Sequence, residues 1–198
     1  MILPNQLTVL RIILTPVFFV LFLSGSPLLR QIALVIFIIA ALTDWYDGWL
    51  ARKFNYITSW GKFWDPLADK ILTSAAFFAF VITGTIQLWM VIVIIVRDFS
   101  ITGLRAYADY KGHSFPTSRY AKWKTFIQMA FLYYLLLVFA CQTVGRIYNG
   151  NEKFFAALLN PDLIYYTMLA VTLITLHSGI TYVYGSRHLI KSLLKNEN

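Results

Sequence analysis

Four aspartates lie within otherwise apolar segments of this 198-residue chain, in two closely spaced pairs. Asp44 precedes Asp47 by three residues and Asp65 precedes Asp69 by four, so each pair falls on one face of a helix, about one turn apart. A carboxylate at the centre of a bilayer costs roughly 2.5–3.5 kcal/mol, so this group needs compensating charge. Four hard oxygen donors predict a site for two divalent cations, Mg²⁺ or Mn²⁺, which is typical of phosphoryl-type transfer.

The segment that joins the two acidic helices is short, because it runs only from Arg52 to Gly61. We therefore expect two antiparallel helices whose neighbouring ends place the four carboxylates around one polar cavity. Gly48 and Gly61 adjoin the acidic faces, and a bare backbone there would let a phosphate or ribose come close. Glycines in membrane helices also permit close helix contact, so both interpretations stay open at this point.

Two other interpretations of the aspartates remain open on this pattern alone. They could form structural ion pairs within the membrane with Arg52, Lys70 and Arg97. They could also relay protons or pass cations in a transporter.

The composition places these residues in a membrane protein. Apolar residues make up 59% of the chain and charged residues 13%, whereas soluble domains carry about 25% charged residues. A spanning helix needs about 20 mainly apolar residues. Six segments qualify, near residues 7–24, 29–50, 63–83, 86–108, 122–143 and 163–185. The sequence thus predicts a single all-α integral membrane domain over residues 1–198, with six transmembrane helices.

The distribution of basic residues predicts the orientation of this domain. Six spans put both termini on one side, and most of the lysines and arginines near span ends fall there, whereas Arg30, Arg146 and Lys153 lie opposite. Cytoplasmic loops carry this excess. We therefore expect the termini and the polar cavity to face the cytoplasm of a cell membrane. The net charge of +8 is attributed to anionic lipid rather than to nucleic acid.

Residues 44–69 match the pattern D-x2-D-G-x2-A-R-x8-G-x3-D-x3-D at every fixed position. This is the signature of the CDP-alcohol phosphatidyltransferases, and the chain resembles that family. The resemblance implies a six-helix membrane fold, usually dimeric, with two divalent metals held by Asp44, Asp47, Asp65 and Asp69. It also implies that Asp69 serves as the base for the acceptor hydroxyl.

The resemblance further assigns a group of residues to the CDP-lipid. The start of the chain is similar to the N-x-L-T-x-x-R opening of such enzymes, in which the first helix contributes to the nucleotide site. The residues predicted to bind CDP-diacylglycerol are Asn5, Thr8, Asp47, Gly48, Arg52, Thr58 and Gly61.

Similarity to the subfamily of phosphatidylglycerophosphate synthases, which use glycerol 3-phosphate, extends to about residue 128. It is carried by residues 65–70, 97–98, 103–105 and 122–125, together with Gln128. The chain departs from that pattern at Asp98, where glutamate is more usual, and at Ala121, where glycine commonly stands. The resemblance implies phosphatidyl transfer from CDP-diacylglycerol to glycerol 3-phosphate by a homodimer.

Charge also favours glycerol 3-phosphate, because its dianionic phosphate needs cationic donors. Arg105, Arg119, Lys122 and Lys124 lie near the cytoplasmic ends of the fourth and fifth spans and are the predicted acceptor ligands. They could instead be ordinary positive-inside residues that contact lipid headgroups. Inositol phosphate or serine is the alternative acceptor.

A different class of enzyme, the membrane prenyltransferases, also uses paired aspartate motifs. Those enzymes have a longer architecture in which the motifs are far apart, whereas here both motifs lie within one predicted helical hairpin.

Overall fold

The computed structural model describes residues 3–54, 59–111, 119–144, 148, 150–185 and 187. Within these ranges the backbone alone is described for 3–5, 44–45, 47–48, 50–52, 54, 59–63 and 110. The predicted site residues Asn5, Asp44, Asp47, Gly48, Arg52 and Gly61 therefore have a described backbone position but no described side chain, and Thr58 lies outside the described residues.

Seven helices make up the secondary structure of the described residues. They are α1 (Leu3–Phe22), α2 (Pro27–Phe54), α3 (Ser59–Ile82), α4 (Leu88–Tyr110), α5 (Arg119–Thr143), α6 (Glu152–Leu158) and α7 (Pro161–Gly185). The six long helices confirm the predicted helical segments, whose ends differ from theirs by at most four residues. The short helix α6 lies between the fifth and sixth predicted segments, where no helix is predicted.

Local chemistry explains several helix ends. Pro27 and Pro161 are the first residues of α2 and α7, where the missing N–H of proline costs nothing. The Asn160 side chain accepts a hydrogen bond from the backbone N–H of Asp162 at 2.9 Å and so caps α7. After α3 the chain turns at Gly84, whose φ of +74° favours glycine.

The buried interior is built from aromatic side chains on several helices. Phe22 of α1 lies 5.3 Å from Phe80 of α3 and 6.2 Å from Phe139 of α5, measured between ring centres. Phe18, one turn from Phe22, contacts Phe37 of α2 at 5.2 Å. Contacts of this kind join α1, α2, α3 and α5 around one core.

The arrangement of the helices follows from which of them pack together. Helix α1 packs extensively on both α2 and α3, while α7 packs on α4 and α5. Thr8 at the start of α1 bonds to Asp65 near the start of α3. At the opposite end of the molecule, Gln31 near the start of α2 donates to the carbonyl of Thr143 at the end of α5, at 2.9 Å. The chain therefore passes back and forth between two ends, and α1 lies against both acidic helices.

Large apolar side chains cover much of the outer surface. Val20, Leu42, Val96 and Leu137, on four different helices, are each more than half exposed. By length and composition, two segments of the described residues could cross a membrane, Arg119–Thr143 and Glu152–Gly185; Gln6–Phe22 and Pro27–Thr43 are shorter apolar stretches. Such surfaces suit a lipid solvent.

Candidate active site

Two of the four predicted metal ligands have described side chains, and both lie on one face of α3. Asp65 and Asp69 are four residues apart in this helix and are partly exposed, with 34% of the Asp69 side chain accessible. Their carboxylates are therefore one turn apart and reachable from outside the core. Among the described side chains, no group of three or more histidines, cysteines or acids lies close enough to hold one ion. The four-aspartate cluster stays a prediction.

The carboxylate of Asp65 is held by the first helix. Thr8 is completely buried, and its hydroxyl donates a hydrogen bond to Oδ1 of Asp65 at 2.5 Å. This bond joins residues 57 positions apart and leaves the second carboxylate oxygen to other partners. The resemblance of the opening residues to the family pattern predicts that Thr8 binds the CDP-lipid. The structure places its hydroxyl on a predicted metal ligand.

A small cavity of about 70 Å³ lies beside Asp69, on the side facing α1 and α5. Arg11, Thr73 and Tyr133 are among the residues that line it. Arg11 is completely buried, and its Nε donates to the carbonyl of Ala40 at 3.3 Å. Arg11 is the arginine of the N-x-L-T-x-x-R opening but is not among the predicted ligands, although a cation inside an apolar span is itself a signal of function.

A larger cavity of about 620 Å³ opens between α3, α4 and α5. Its polar lining comes mainly from Lys70, Arg97, Asp98, Arg105 and Lys122, while Ile101, Phe126 and Met129 are among its apolar lining residues. Four of those five charged residues are cations. The cavity therefore suits an anionic ligand that also bears uncharged groups.

A buried carboxylate at the wall of this cavity connects three cations, two of which, Lys70 and Arg97, also line the cavity. Asp98 is 4% exposed; its Oδ1 accepts hydrogen bonds from Arg97 Nη1 at 3.0 Å and from the Nζ of Lys124. Lys70 Nζ lies 3.6 Å from the other oxygen, Oδ2. Arg97 also donates from Nη2 to the Ser178 hydroxyl at 2.7 Å. Lys70 and Arg97, which the sequence offers as ion-pair partners for the four predicted metal ligands, are thus both paired with Asp98.

Lys70 joins this cluster to the predicted base. Its Nζ lies 3.7 Å from Asp69 Oδ2 as well as 3.6 Å from Asp98 Oδ2. The cationic cavity and Asp69 are thus separated by a single side chain. The sequence pattern indicates Lys70 only as an ion-pair partner for the aspartates and does not predict that it bridges Asp69 and Asp98 on two different helices.

The four predicted acceptor ligands fall in different surroundings. Arg105 and Lys122 line the larger cavity, and Arg105 Nε donates to the Tyr182 hydroxyl at 3.2 Å. Lys124 is 1% exposed and is paired with Asp98. Arg119 is the first residue of α5 and is exposed. The structure thus brings two of the four together at one cavity.

Comparison with known proteins gives consistent matches. Residues 1–174 match the sequence profile of the family described as CDP-alcohol phosphatidyltransferase. Proteins named CDP-diacylglycerol–glycerol-3-phosphate 3-phosphatidyltransferase are similar in Rickettsia typhi (39% identity over 135 residues, 68% of this chain and 76% of the relative) and Bacillus subtilis (41% over 147 residues, 68% and 76%). The protein of that name in Mycoplasma pneumoniae is 32% identical over 192 residues, or 87% of this chain and 83% of the relative.

Proposed function

This chain belongs to the CDP-alcohol phosphatidyltransferase family, and we propose that it transfers the phosphatidyl group of CDP-diacylglycerol to glycerol 3-phosphate. The products are phosphatidylglycerol phosphate and CMP. The observation that carries the choice of acceptor is the name shared by relatives of 32–41% identity, which specifies both substrates. The cation-lined cavity one side chain away from Asp69 supports the same acceptor, because glycerol 3-phosphate brings an anionic phosphate and a reactive hydroxyl together.

Divalent metal fits the donors that the structure describes. Asp65 and Asp69 offer hard carboxylate oxygens one turn apart, and Thr8 fixes the orientation of the first. Asp44 and Asp47 would complete the ligand set from α2, whose backbone carries them near its end. Two bound Mg²⁺ or Mn²⁺ ions would neutralise the pyrophosphate and stabilise the leaving CMP.

The reaction itself is an attack by the acceptor hydroxyl on the phosphorus that carries diacylglycerol. A new P–O bond forms, the P–O bond of the pyrophosphate linkage breaks, and CMP leaves with its electron pair. Asp69 takes the proton from the hydroxyl, and its partly exposed position beside Lys70 gives an acceptor access to it. Holding base, hydroxyl and phosphorus in one geometry supplies much of the rate.

Each substrate has its own set of proposed ligands. The CDP portion would contact Asn5, Thr8, Asp47, Gly48, Arg52, Thr58 and Gly61. Arg105 and Lys122 would bind the acceptor phosphate from the cavity wall, with Arg119 and Lys124 as the remaining predicted cations. The acyl chains would stay in lipid.

We propose that all six long helices span a cell membrane, with both termini and the active site on the cytoplasmic side, and that the enzyme works as a homodimer. The excess of lysine and arginine on the side of the termini supports this orientation.

A direct assay tests the function. Purified protein in lipid-containing micelles is given radiolabelled CDP-diacylglycerol and one acceptor at a time: glycerol 3-phosphate, inositol phosphate, serine or water. We expect CMP release and a labelled phosphatidylglycerol phosphate with the first alone. A faster reaction with another acceptor would refute the proposed acceptor, and no consumption of CDP-diacylglycerol would favour the transporter alternative.

Truncating the cavity cations should weaken acceptor binding selectively. We expect Arg105→Ala and Lys122→Ala each to raise the KM for glycerol 3-phosphate by roughly 10- to 100-fold, the value of a charged hydrogen bond, with little change for CDP-diacylglycerol. Steady-state kinetics with each substrate varied in turn measures this. Lys153→Ala, an exposed lysine on α6, is the matched control and should behave as wild type. Equal changes in both KM values would contradict the assignment.

Removing the hydroxyl of Thr8 should weaken metal binding without changing the fold. Valine keeps the shape of threonine, and loss of a hydrogen bond to a metal ligand typically costs 10- to 100-fold in affinity, so we expect about that loss for Thr8→Val. Equilibrium binding of Mn²⁺, followed by electron paramagnetic resonance, measures it independently of turnover. Thr15→Val is the control, since Thr15 donates to the Arg11 carbonyl of its own helix at 2.8 Å. Unchanged Mn²⁺ affinity in Thr8→Val would show that this bond does not orient a metal ligand.

A further inference from the structure

We propose that Asp98 is a positioning residue for acceptor binding. Its buried carboxylate lines the larger cavity, pairs there with Lys70 and Arg97, and also binds the buried Lys124, so that cations of three different helices meet at one acid. This inference rests on the proposed function, because the wall would meet the phosphate of the acceptor named there.

The carboxylate of Asp98 is shared by three cations. Oδ1 of Asp98 accepts from both Arg97 and Lys124, and Oδ2 faces Lys70 at 3.6 Å. The second terminal nitrogen of Arg97, Nη2, donates to the Ser178 hydroxyl of α7 at 2.7 Å. Asp98 is therefore the common partner through which α3, α4 and α5 are connected at this level of the molecule.

The charge balance argues for more than a structural ion pair. One cation would suffice to neutralise Asp98, whereas Lys70, Arg97 and Lys124 against Asp98 and Asp69 leave an excess of one positive charge, and Arg105 and Lys122 of the same cavity add two more. A phosphate monoester carries a charge of about −1.5 to −2 at neutral pH, which this cationic excess can balance. Without the carboxylate, three cations at such distances in a partly buried site would repel one another and separate.

The position of the wall also sets the distance from the phosphate site to the base. Lys70 and Arg97 both line the cavity, and the Nζ of Lys70 lies 3.7 Å from Asp69 Oδ2. An acceptor bound to the cations by its phosphate would have its hydroxyl within reach of Asp69 only while Lys70 keeps its place. Asp98 would thus act on the reaction through the cations it holds and without touching substrate.

The test compares Asp98→Asn with Asp98→Glu. We expect asparagine to raise the KM for glycerol 3-phosphate at least about 10-fold while the KM for CDP-diacylglycerol stays within about twofold, and glutamate to restore most of the acceptor affinity. Ser178→Ala, which removes one hydrogen-bond acceptor of Arg97, should raise the acceptor KM in the same direction by a smaller factor, about threefold, because Arg97 keeps its ion pair with Asp98. Thr172→Val is the control, since this buried hydroxyl of α7 donates to the Met168 carbonyl of its own helix.

Several outcomes would overturn the proposal. Parallel changes in both KM values, or no rescue by glutamate, would show that Asp98 only stabilises the fold. If Asp98→Asn does not yield folded protein, Ser178→Ala and Gly179→Ala decide, because a Cβ at Gly179 would lie 3.0 Å from Cγ of Arg97 and displace it. An unchanged acceptor KM in both would refute the positioning role.

The failure of the proposed function would be seen separately, in the wild-type acceptor assay. If that assay identifies another phosphorylated acceptor, the same variants are measured with it and the same outcomes apply. A neutral acceptor, or the absence of transferase activity, would overturn the role of Asp98, because no acceptor phosphate would then meet the wall.

Discussion

Asp65→Ala is expected to lower kcat/KM by at least about 10³-fold, because bound metal supplies several kcal/mol of transition-state stabilisation and each 1.36 kcal/mol is a factor of ten. Asp65 is partly exposed on α3, and one of its oxygens is already oriented by Thr8. A carboxylate held in this way is prepared to bind an ion. Excess chelator should bring the wild-type enzyme to a similarly low rate, and added Mg²⁺ or Mn²⁺ should restore it.

The measurement is the consumption of radiolabelled CDP-diacylglycerol over a range of metal concentrations, with Mn²⁺ binding followed in parallel. Asp109→Ala serves as the control, since Asp109 is an exposed acid near the end of α4. Both variants should be extracted from membranes and elute as the wild type does. A wild-type rate for Asp65→Ala, or full wild-type activity in excess chelator, would refute the metal site.

Asp69→Asn is expected to lose about 10²- to 10⁴-fold in kcat, the usual contribution of a positioned general base. Asparagine keeps the size of the side chain and removes its ability to take a proton. The loss should be larger if metal affinity also falls. CDP-diacylglycerol binding should be largely retained, because Asp69 faces the acceptor side of the site through Lys70.

Single-turnover rates at saturating Mg²⁺ and raised pH separate the base from the metal ligand, with CDP-diacylglycerol affinity measured on the same samples. Asp109→Asn controls for the loss of one carboxylate elsewhere. A rate within about tenfold of wild type is less than a positioned base supplies. In that case another acceptor, such as solvent, would have to take the proton.

The helices and the shared face of Asp65 and Asp69 could both be predicted from the sequence, for different reasons. Helix positions followed from apolar runs of the length that a bilayer requires, and these hold for α1 to α5 and α7 within a few residues. The shared face followed from local spacing, since Asp65 and Asp69 needed only the 3.6-residue period to be placed one turn apart. Both kinds of inference use residues close together in the chain.

Contacts between distant segments could not be derived in this way. The bond from Thr8 to Asp65 depends on α1 lying against α3, and no local pattern specifies that neighbour. In the same way, Lys124 was grouped with the acceptor ligands because it lies near the predicted cytoplasmic end of the fifth span, yet its side chain bonds to Asp98, 26 residues earlier. Helix α6 could not be predicted from the sequence, because its seven residues are too few to show a helical period of apolar positions.

The buried cluster around Asp98 also has a consequence for how the chain is made. During synthesis α4 would enter the membrane with Arg97 and Asp98 already adjacent, so their charges can offset each other at once. Helix α5 would bring Lys124, which is 1% exposed in the finished protein, without an acid of its own. Because Lys124 is only the sixth residue of α5, its long side chain can reach the lipid interface during insertion and avoid the roughly 2.5–3.5 kcal/mol that a lysine at mid-helix costs. Lys124 should therefore stay directed to the interface until α4 is beside α5, and only then turn inward to Asp98.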